Sequence, residues 1–331
     1  MSPRRRRASL IPEGMSLAKA EKVRRTDDPI NFRQSVLSEA EFMGILLPER
    51  KWILEGLMVE ESMTLVNGYR GYGKTWFIQA VANAVTWGSG VGPWKAPNAR
   101  NAMIIDGEMP MPLLQERMGL LNKGLDIDDK PAILYFYPEA YAYRIGLKRA
   151  NILDVTWRSR VADCIKDLDI KLLVLDNLSS LAPGIDENDK TPFDPVNRWL
   201  LELRFSGIAI MMTHHTGKSG DQRGTSAHED HVDTALMLEK PEGWSKDMGC
   251  AFKCTASKDR AYLMKGASYD LRLEEDEEGR LYFWYNQEGE RTKTVKELIK
   301  SGVVENAKDA EAHGFSESTY YRAKRDLRED K

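Results

Sequence analysis

Residues 62–85 read SMTLVNGYRGYGKTWFIQAVANAV: an apolar run, a glycine-rich turn and a helical stretch, in that order. The turn, Gly68-Tyr69-Arg70-Gly71-Tyr72-Gly73-Lys74-Thr75, has the spacing of a phosphate-binding loop. Such a loop needs glycine because several backbone N–H groups must converge on one anion, at dihedrals and distances that a Cβ obstructs. Gly68, Gly71 and Gly73 supply that freedom, Lys74 sets an ammonium against the β and γ phosphates, and the Thr75 hydroxyl is offered to magnesium. The helix that follows, with Trp76 in its first turn, adds the positive end of its dipole, so Trp76 joins the nucleotide-binding set. ATP with Mg2+ is the expected ligand pair.

Phosphoryl chemistry also needs a carboxylate beside the metal and another to orient the attacking water, both at carboxyl ends of strands. Asp176 closes the apolar run Leu172–Leu175 and takes the metal-side role. Asp106-Gly107-Glu108 closes the strand after the loop's helix; Glu108 is the candidate base and Asp106 the competing choice. His215, in the stretch MTHHTGK at 212–218, follows another buried run and could sense a γ-phosphate. The alternative is a histidine that only bonds backbone at a strand end.

Further out, apolar runs at 62–67, 102–106, 133–137, 171–176 and 208–213 alternate with helices starting near Lys74, Pro112, Val155 and Pro195. That alternation predicts an α/β fold around a mostly parallel sheet with helices on both faces. Runs at 234–239, 250–255 and 281–285, separated by glycine and charged turns, predict an antiparallel extension. Tyr135, Phe136 and Tyr137, with Tyr141 and Tyr143, could form a base-stacking platform, but strand spacing favours a place in the core.

The bulk composition narrows the class. The chain has 331 residues, 42% hydrophobic and 30% charged, with a formal net charge of −3. No apolar run approaches the roughly 18 residues that would span a bilayer. An arginine cluster at positions 4–7 lacks the adjoining apolar stretch of a secretory signal, so a cytoplasmic protein with no membrane contact is expected. Three cysteines, Cys164, Cys250 and Cys254, are too few for a disulfide framework or a four-ligand zinc site. The weak net charge argues against a uniformly basic nucleic-acid surface, so any DNA contact must be local or shared among subunits.

In combination, the phosphate loop, DGEMP at 106–110, LLVLDNLSSL at 172–181, THHTGK at 213–218 and RGTSA at 223–227 resemble the RecA-like ATPases of the plasmid RepA hexameric helicase type, relatives of DnaB and RecA. The small-residue stretch from Trp87 to Trp94 is similar to that family's linker, and the likeness spans about residues 50–285. The resemblance implies a RecA-like P-loop NTPase fold, cytoplasmic Mg2+-dependent ATPase activity and a homo-oligomeric ring, a hexamer favoured, with nucleotide between subunits. It implies Lys74 and Thr75 on phosphate and magnesium, Glu108 as base, Asp176 as metal-side carboxylate and His215 as phosphate sensor. It also implies a positive group from the neighbouring subunit. Lys258-Asp259-Arg260 is similar to the Lys-x-Arg pair of DnaB-like enzymes, while Arg223 lies in the loop that relatives turn toward DNA. Lys218 and Arg223 would hold DNA phosphate in the channel. The acidic stretch from Gly184 to Lys190 departs from that pattern and weighs against processive helicase action.

Three segments follow: a mobile basic arm at 1–30, the ATPase domain at 31–290 and a small helical module at 291–331. In the module, short helices at 294–300, 307–312 and 316–327 resemble a helix-turn-helix or winged-helix unit. Arg322, Lys324 and Arg325 would form a phosphate-facing strip. DNA is thus an expected partner, and docking of a protein partner is the alternative use of the module.

Overall fold

The computed structural model describes residues 35–183, 193–215, 231–241, 243–287, 290–313, 315 and 317–329. The chain divides into two compact units, Met1–Lys51 and Trp52–Lys331. In the first, the short helix α1 (Glu39–Met43) starts at a capping box in which Ser38 and Glu41 bond each other's backbone N–H.

The second unit begins with strands β1 (Trp52–Leu54) and β2 (Met58–Val59), which pair with each other. Then come β3 (Met63–Gly68), helix α2 (Lys74–Trp87), the small hairpin β4 (Gly90–Val91) and β5 (Trp94–Lys95), β6 (Ala102–Asp106) and α3 (Met111–Leu121). Next are β7 (Leu134–Pro138), α4 (Glu139–Arg144), α5 (Val155–Asp167), β8 (Leu172–Asp176), α6 (Leu178–Leu181), α7 (Asp194–Phe205) and β9 (Ala209–His215). Strands β10 (Thr234–Glu239), β11 (Ala251–Asp259), β12 (Ser268–Glu275) and β13 (Leu281–Gln287) complete a 9-stranded sheet of order β13-β12-β11-β10-β3-β9-β8-β6-β7.

From β10 to β7 neighbouring strands run parallel, and β11 to β13 continue antiparallel. Continuous apolar runs arise because both faces are covered and side chains alternate. On β8, Leu172 and Val174 enter the core under α2 with Phe77, Ile78 and Val81, while Leu173 and Leu175 enter the opposite core with Val161, Val196 and Leu203 of α5 and α7. Tyr135 and Tyr137 pack against the second core, as their strand spacing predicts, whereas Phe136, Tyr141 and Tyr143 are exposed.

Within the nine-stranded sheet two details differ from the sequence reading. Residues 234–239 belong to the parallel part, with Leu236 opposite Val66 and Leu238 opposite Gly68. Their nearly unbroken burial is the signature of a strand covered on both faces. Strand β12 was not anticipated, because Asp270, Arg272 and Glu274 on one face disguise Tyr269, Leu271 and Leu273 on the other.

Helices α8 (Glu290–Lys300), α9 (Ala307–Ala312) and α10 (Glu317–Glu329) end the chain. They share a small core of Val295, Val304, Ala310, Tyr320 and Ala323. No strand occurs among the described residues 290–329. No helix among the described residues is long and apolar enough to cross a membrane.

Candidate active site

The parallel register brings the carboxyl ends of four strands to one edge. Gly68 of β3 lies opposite His215 of β9, Asp106 of β6 opposite Asp176 of β8, and Leu175 of β8 opposite Met212 of β9. The phosphate loop leaves β3 at this edge and enters α2 at Lys74 with no intervening residue. Gly73 closes the loop at φ 88°, in the left-handed region, and a Cβ there would lie 2.5 Å from Cys250 Sγ. Only glycine meets both demands.

Lys74 is buried, and its Nζ donates to the carbonyls of Gly68 at 2.6 Å and Tyr69 at 3.1 Å. Burial pulls its ammonium down to about 8, against the opposing pull of Asp176 and Glu108 and with some help from Arg70. Asp176 is pushed up by burial, while hydroxyls of Thr213 and Thr75 that donate to it act the other way. The Thr213 bond, Oγ1 to Oδ1, is 2.6 Å long. Burial likewise raises Asp106 to about 6, although its Oδ1 accepts the N–H groups of Glu108 at 3.1 Å and Met109 at 2.6 Å. Asp106 thereby shapes the turn that presents Glu108. That turn sits tightly against α6: a Cβ on Gly107 would come within 2.7 Å of Ser180 Oγ.

Glu108, just past β6, and His215, the last residue of β9, meet the same side chain from either side of β8. Asn177 Nδ2 donates to Glu108 Oε2 at 2.7 Å and lies 3.3 Å from His215 Nε2. The structure therefore groups Lys74, Thr75, Glu108, Asp176 and His215, with Asp106 beneath them.

Four contributors escaped the sequence reading. Thr213 and Asn177 are polar residues inside the motifs that supply His215 and Asp176, and their neighbours drew the attention. Arg117 of α3 stacks its guanidinium 4.7 Å from the Trp76 ring centroid, and burial lowers its basicity against the pull of Cys250, Asp176 and Asp106. Its position one turn beyond Leu114 offers no signal without the fold. Lys240, just past β10, lies 3.4 Å above the Trp244 ring and 5.7 Å from the ring of Tyr72 in the phosphate loop.

Other expected residues lie elsewhere. Lys258 pairs with Ala235 and Asp259 with Thr234, which faces Thr64 near the start of β3. Lys258 and Arg260 thus occupy the edge opposite their own phosphate loop. There Arg260 Nη1 is 3.8 Å from Asp233 Oδ1, Arg204 Nη2 is 3.0 Å from the same oxygen, and Asp233 Oδ2 accepts the Met63 N–H at 2.9 Å. Arg322 and Arg325 are exposed on α10, and Lys324 Nζ is 3.0 Å from the Tyr320 hydroxyl. Lys218 and Arg223 lie outside the described residues.

The family description "AAA domain" matches residues 26–221, a span that includes the phosphate loop, Glu108, Asp176 and His215. The chain belongs to the AAA-domain family. The match covers more than half of the 331 residues, and with the loop geometry it makes this AAA-domain protein a nucleotide-binding P-loop ATPase. No curated protein matches the chain. Among solved structures, a KaiC-like protein from the hyperthermophilic archaeon Pyrococcus horikoshii aligns with 69% of this chain and 91% of its own, at 15% identity and a TM-score of 0.45. The site fits magnesium, since a hydroxyl and a carboxylate, Thr75 and Asp176, meet at the loop's exit, and hard oxygen donors suit that ion.

Proposed function

We propose that this AAA-domain protein hydrolyses ATP in a homo-oligomeric ring, six subunits favoured, and applies the turnover to DNA. The observation that carries the reading is the division of charge between the sheet edges. Lys74, Glu108, Asp176 and His215 share one edge, while Lys258 and Arg260 stand at the other. The second pair can reach a nucleotide only across a subunit boundary, as trans-acting groups that offset charge developing on the transferred phosphoryl.

Within one subunit Lys74 and the loop N–H groups hold the phosphates. Thr75 and Asp176 would hold magnesium, which neutralises charge on the β and γ oxygens. Glu108 takes the water-activating role over Asp106, because Asp106 is buried and spends one oxygen on the turn, whereas Glu108 is exposed at the site. His215 reads the γ-phosphate. Arg322, Lys324 and Arg325 on α10, with Lys218 and Arg223, supply the phosphate contacts for DNA.

The test is mass determination with and without ATP and Mg2+, followed by ATPase and strand-displacement assays on the same sample. The reading expects ATP-dependent assembly, ATPase activity stimulated by single-stranded DNA and loss of both turnover and stimulation in Lys74→Ala. A monomer that hydrolyses at full rate would remove Lys258 and Arg260 from the mechanism. The acidic residues Asp186, Glu187 and Asp189 favour a second reading, an ATP-driven adaptor on DNA that changes assembly state without unwinding. Assembly with slow turnover and no strand displacement would select it.

A further inference from the structure

We propose that the cleft between α2 and β13 is a ligand site separate from the phosphate loop, and that it takes a planar aromatic molecule bearing a single negative charge. The cleft holds about 820 Å³, a volume that suits a small molecule. Buried Ala84, Leu121 and Phe283 line it together with the more accessible Trp87, Leu125 and Tyr285. Tyr285 alternates with Phe283 along β13, so both rings stand on the face of the sheet that α2 covers. Lys74 begins α2, whereas Trp87 ends it, about 20 Å away along the helix axis. A molecule in the cleft and a nucleotide at the loop therefore occupy opposite ends of one helix.

Lys130 supplies the charge that selects the ligand. Its Nζ donates to Asn83 Oδ1 at 2.7 Å and stands 5.3 Å from the centroid of the Trp87 ring, and both of those residues line the cleft. Among the described residues Lys130 forms no ion pair, and burial pulls its ammonium down to about 8 with no carboxylate pulling the other way. An amide oxygen and a ring face leave a half-buried cation short of a counter-charge. Arg280, the other cation at the cleft, is spent on Asp276 Oδ2, which accepts from its Nε at 2.9 Å. One negative group thus completes the site, and a polyanion brings more charge than it can answer. The aromatic wall is set in advance: Trp87 Nε1 donates to Asn122 Oδ1 at 2.9 Å, and Asn122 Nδ2 donates to the Met118 carbonyl at 2.8 Å. A ring fixed in this way offers a stacking face with little ordering left to lose on binding.

Fluorescence titration of the full chain tests this with two probes of similar shape: anilinonaphthalene sulfonate, an anion, and phenylnaphthylamine, which is neutral. The sulfonate should saturate a single site, bind about tenfold more tightly than the neutral probe, and stay bound in excess ATP and Mg2+. K130Q keeps a donor for Asn83 without the charge; it should weaken the sulfonate about tenfold and leave the neutral probe within about twofold of wild type. K130R keeps the charge and should hold most of the sulfonate affinity. Y285S removes a stacking ring and should weaken both probes by about threefold or more. Displacement of the sulfonate by ATP would place it at the phosphate loop and overturn the proposal. So would equal affinity for the two probes, or a K130Q variant that binds the sulfonate as wild type does. Should K130Q fold poorly by thermal unfolding, the wild-type comparison and Y285S decide, and unchanged binding of both probes to Y285S removes the cleft as their site.

Discussion

The Thr213 hydroxyl donates to Asp176 Oδ1 across 2.6 Å, between adjacent parallel strands and out of reach of solvent. This bond opposes the burial that pushes the Asp176 carboxyl up. In Thr213→Val the donor is gone and the carboxyl rises further, so less of it is ionised at a given pH. The acid limb of the ATPase pH profile should move upward by about one unit, and the Mg2+ concentration for half-maximal rate should rise. Thr213→Ser keeps the hydroxyl and should restore both. A profile that does not move in Thr213→Val would show that Asp176 does not govern the acid limb.

Lys74 titrates near 8 instead of 10.5, so between those values the unfolded chain binds a proton that the folded chain does not. Stability of the nucleotide-free protein should therefore rise with pH across that window. Below it, the buried ammonium is a constant cost. Lys74→Met should abolish turnover and yet stabilise the nucleotide-free chain at pH 7 by on the order of 1–3 kcal/mol, read by denaturant or thermal unfolding. A loss of stability would mean that the bonds to Gly68 and Tyr69 outweigh the burial.

The opposite sign holds for Asp106. Its carboxyl is raised from 3.8 to about 6, so the folded chain binds the extra proton in that window and stability falls as pH rises through it. Asp106→Asn keeps the oxygen that accepts from Glu108 and Met109, and should flatten the decline between about pH 4 and 6. An unchanged slope would assign the decline to other groups.

Gly73→Ala should be damaging in two separable ways. The left-handed backbone costs about 1–2 kcal/mol for any residue with a Cβ, and the new methyl collides with Cys250. Adding Cys250→Ala removes the sulfur contact and leaves the strain together with a tight approach of 3.1 Å to the Phe252 ring. The double variant should recover part of the lost melting temperature but little of the affinity for nucleotide. Full recovery of both would show that the loop tolerates the strained dihedral.

Most of this site was legible because its chemistry is local in sequence. Gly68 to Thr75 is contiguous, and Asp106, Asp176 and His215 each end an apolar run, so strand periodicity alone puts them at one edge. What stayed hidden depends on pairing between distant segments. Thr213 matters through its neighbour on β8, Asn177 through Glu108 past β6 and His215 at the end of β9, and Arg117 through the side of α3 that faces Trp76. Strand β10 was misassigned in direction because an apolar run looks the same read either way; only its register against β3 decides. The expected pair Lys258 and Arg260 was found in sequence, but its distance from its own loop emerged only when β10 and β11 were laid beside β3.

Asp233 holds the Met63 N–H with one oxygen and faces Arg204 and Arg260 with the other. Met63 is the first residue of the strand whose last residue, Gly68, opens the phosphate loop. A pull on Arg260 is thus a pull on one end of a stiff rod whose far end grips phosphate. Force entering at one rim of the sheet has a short, fully buried route to the other.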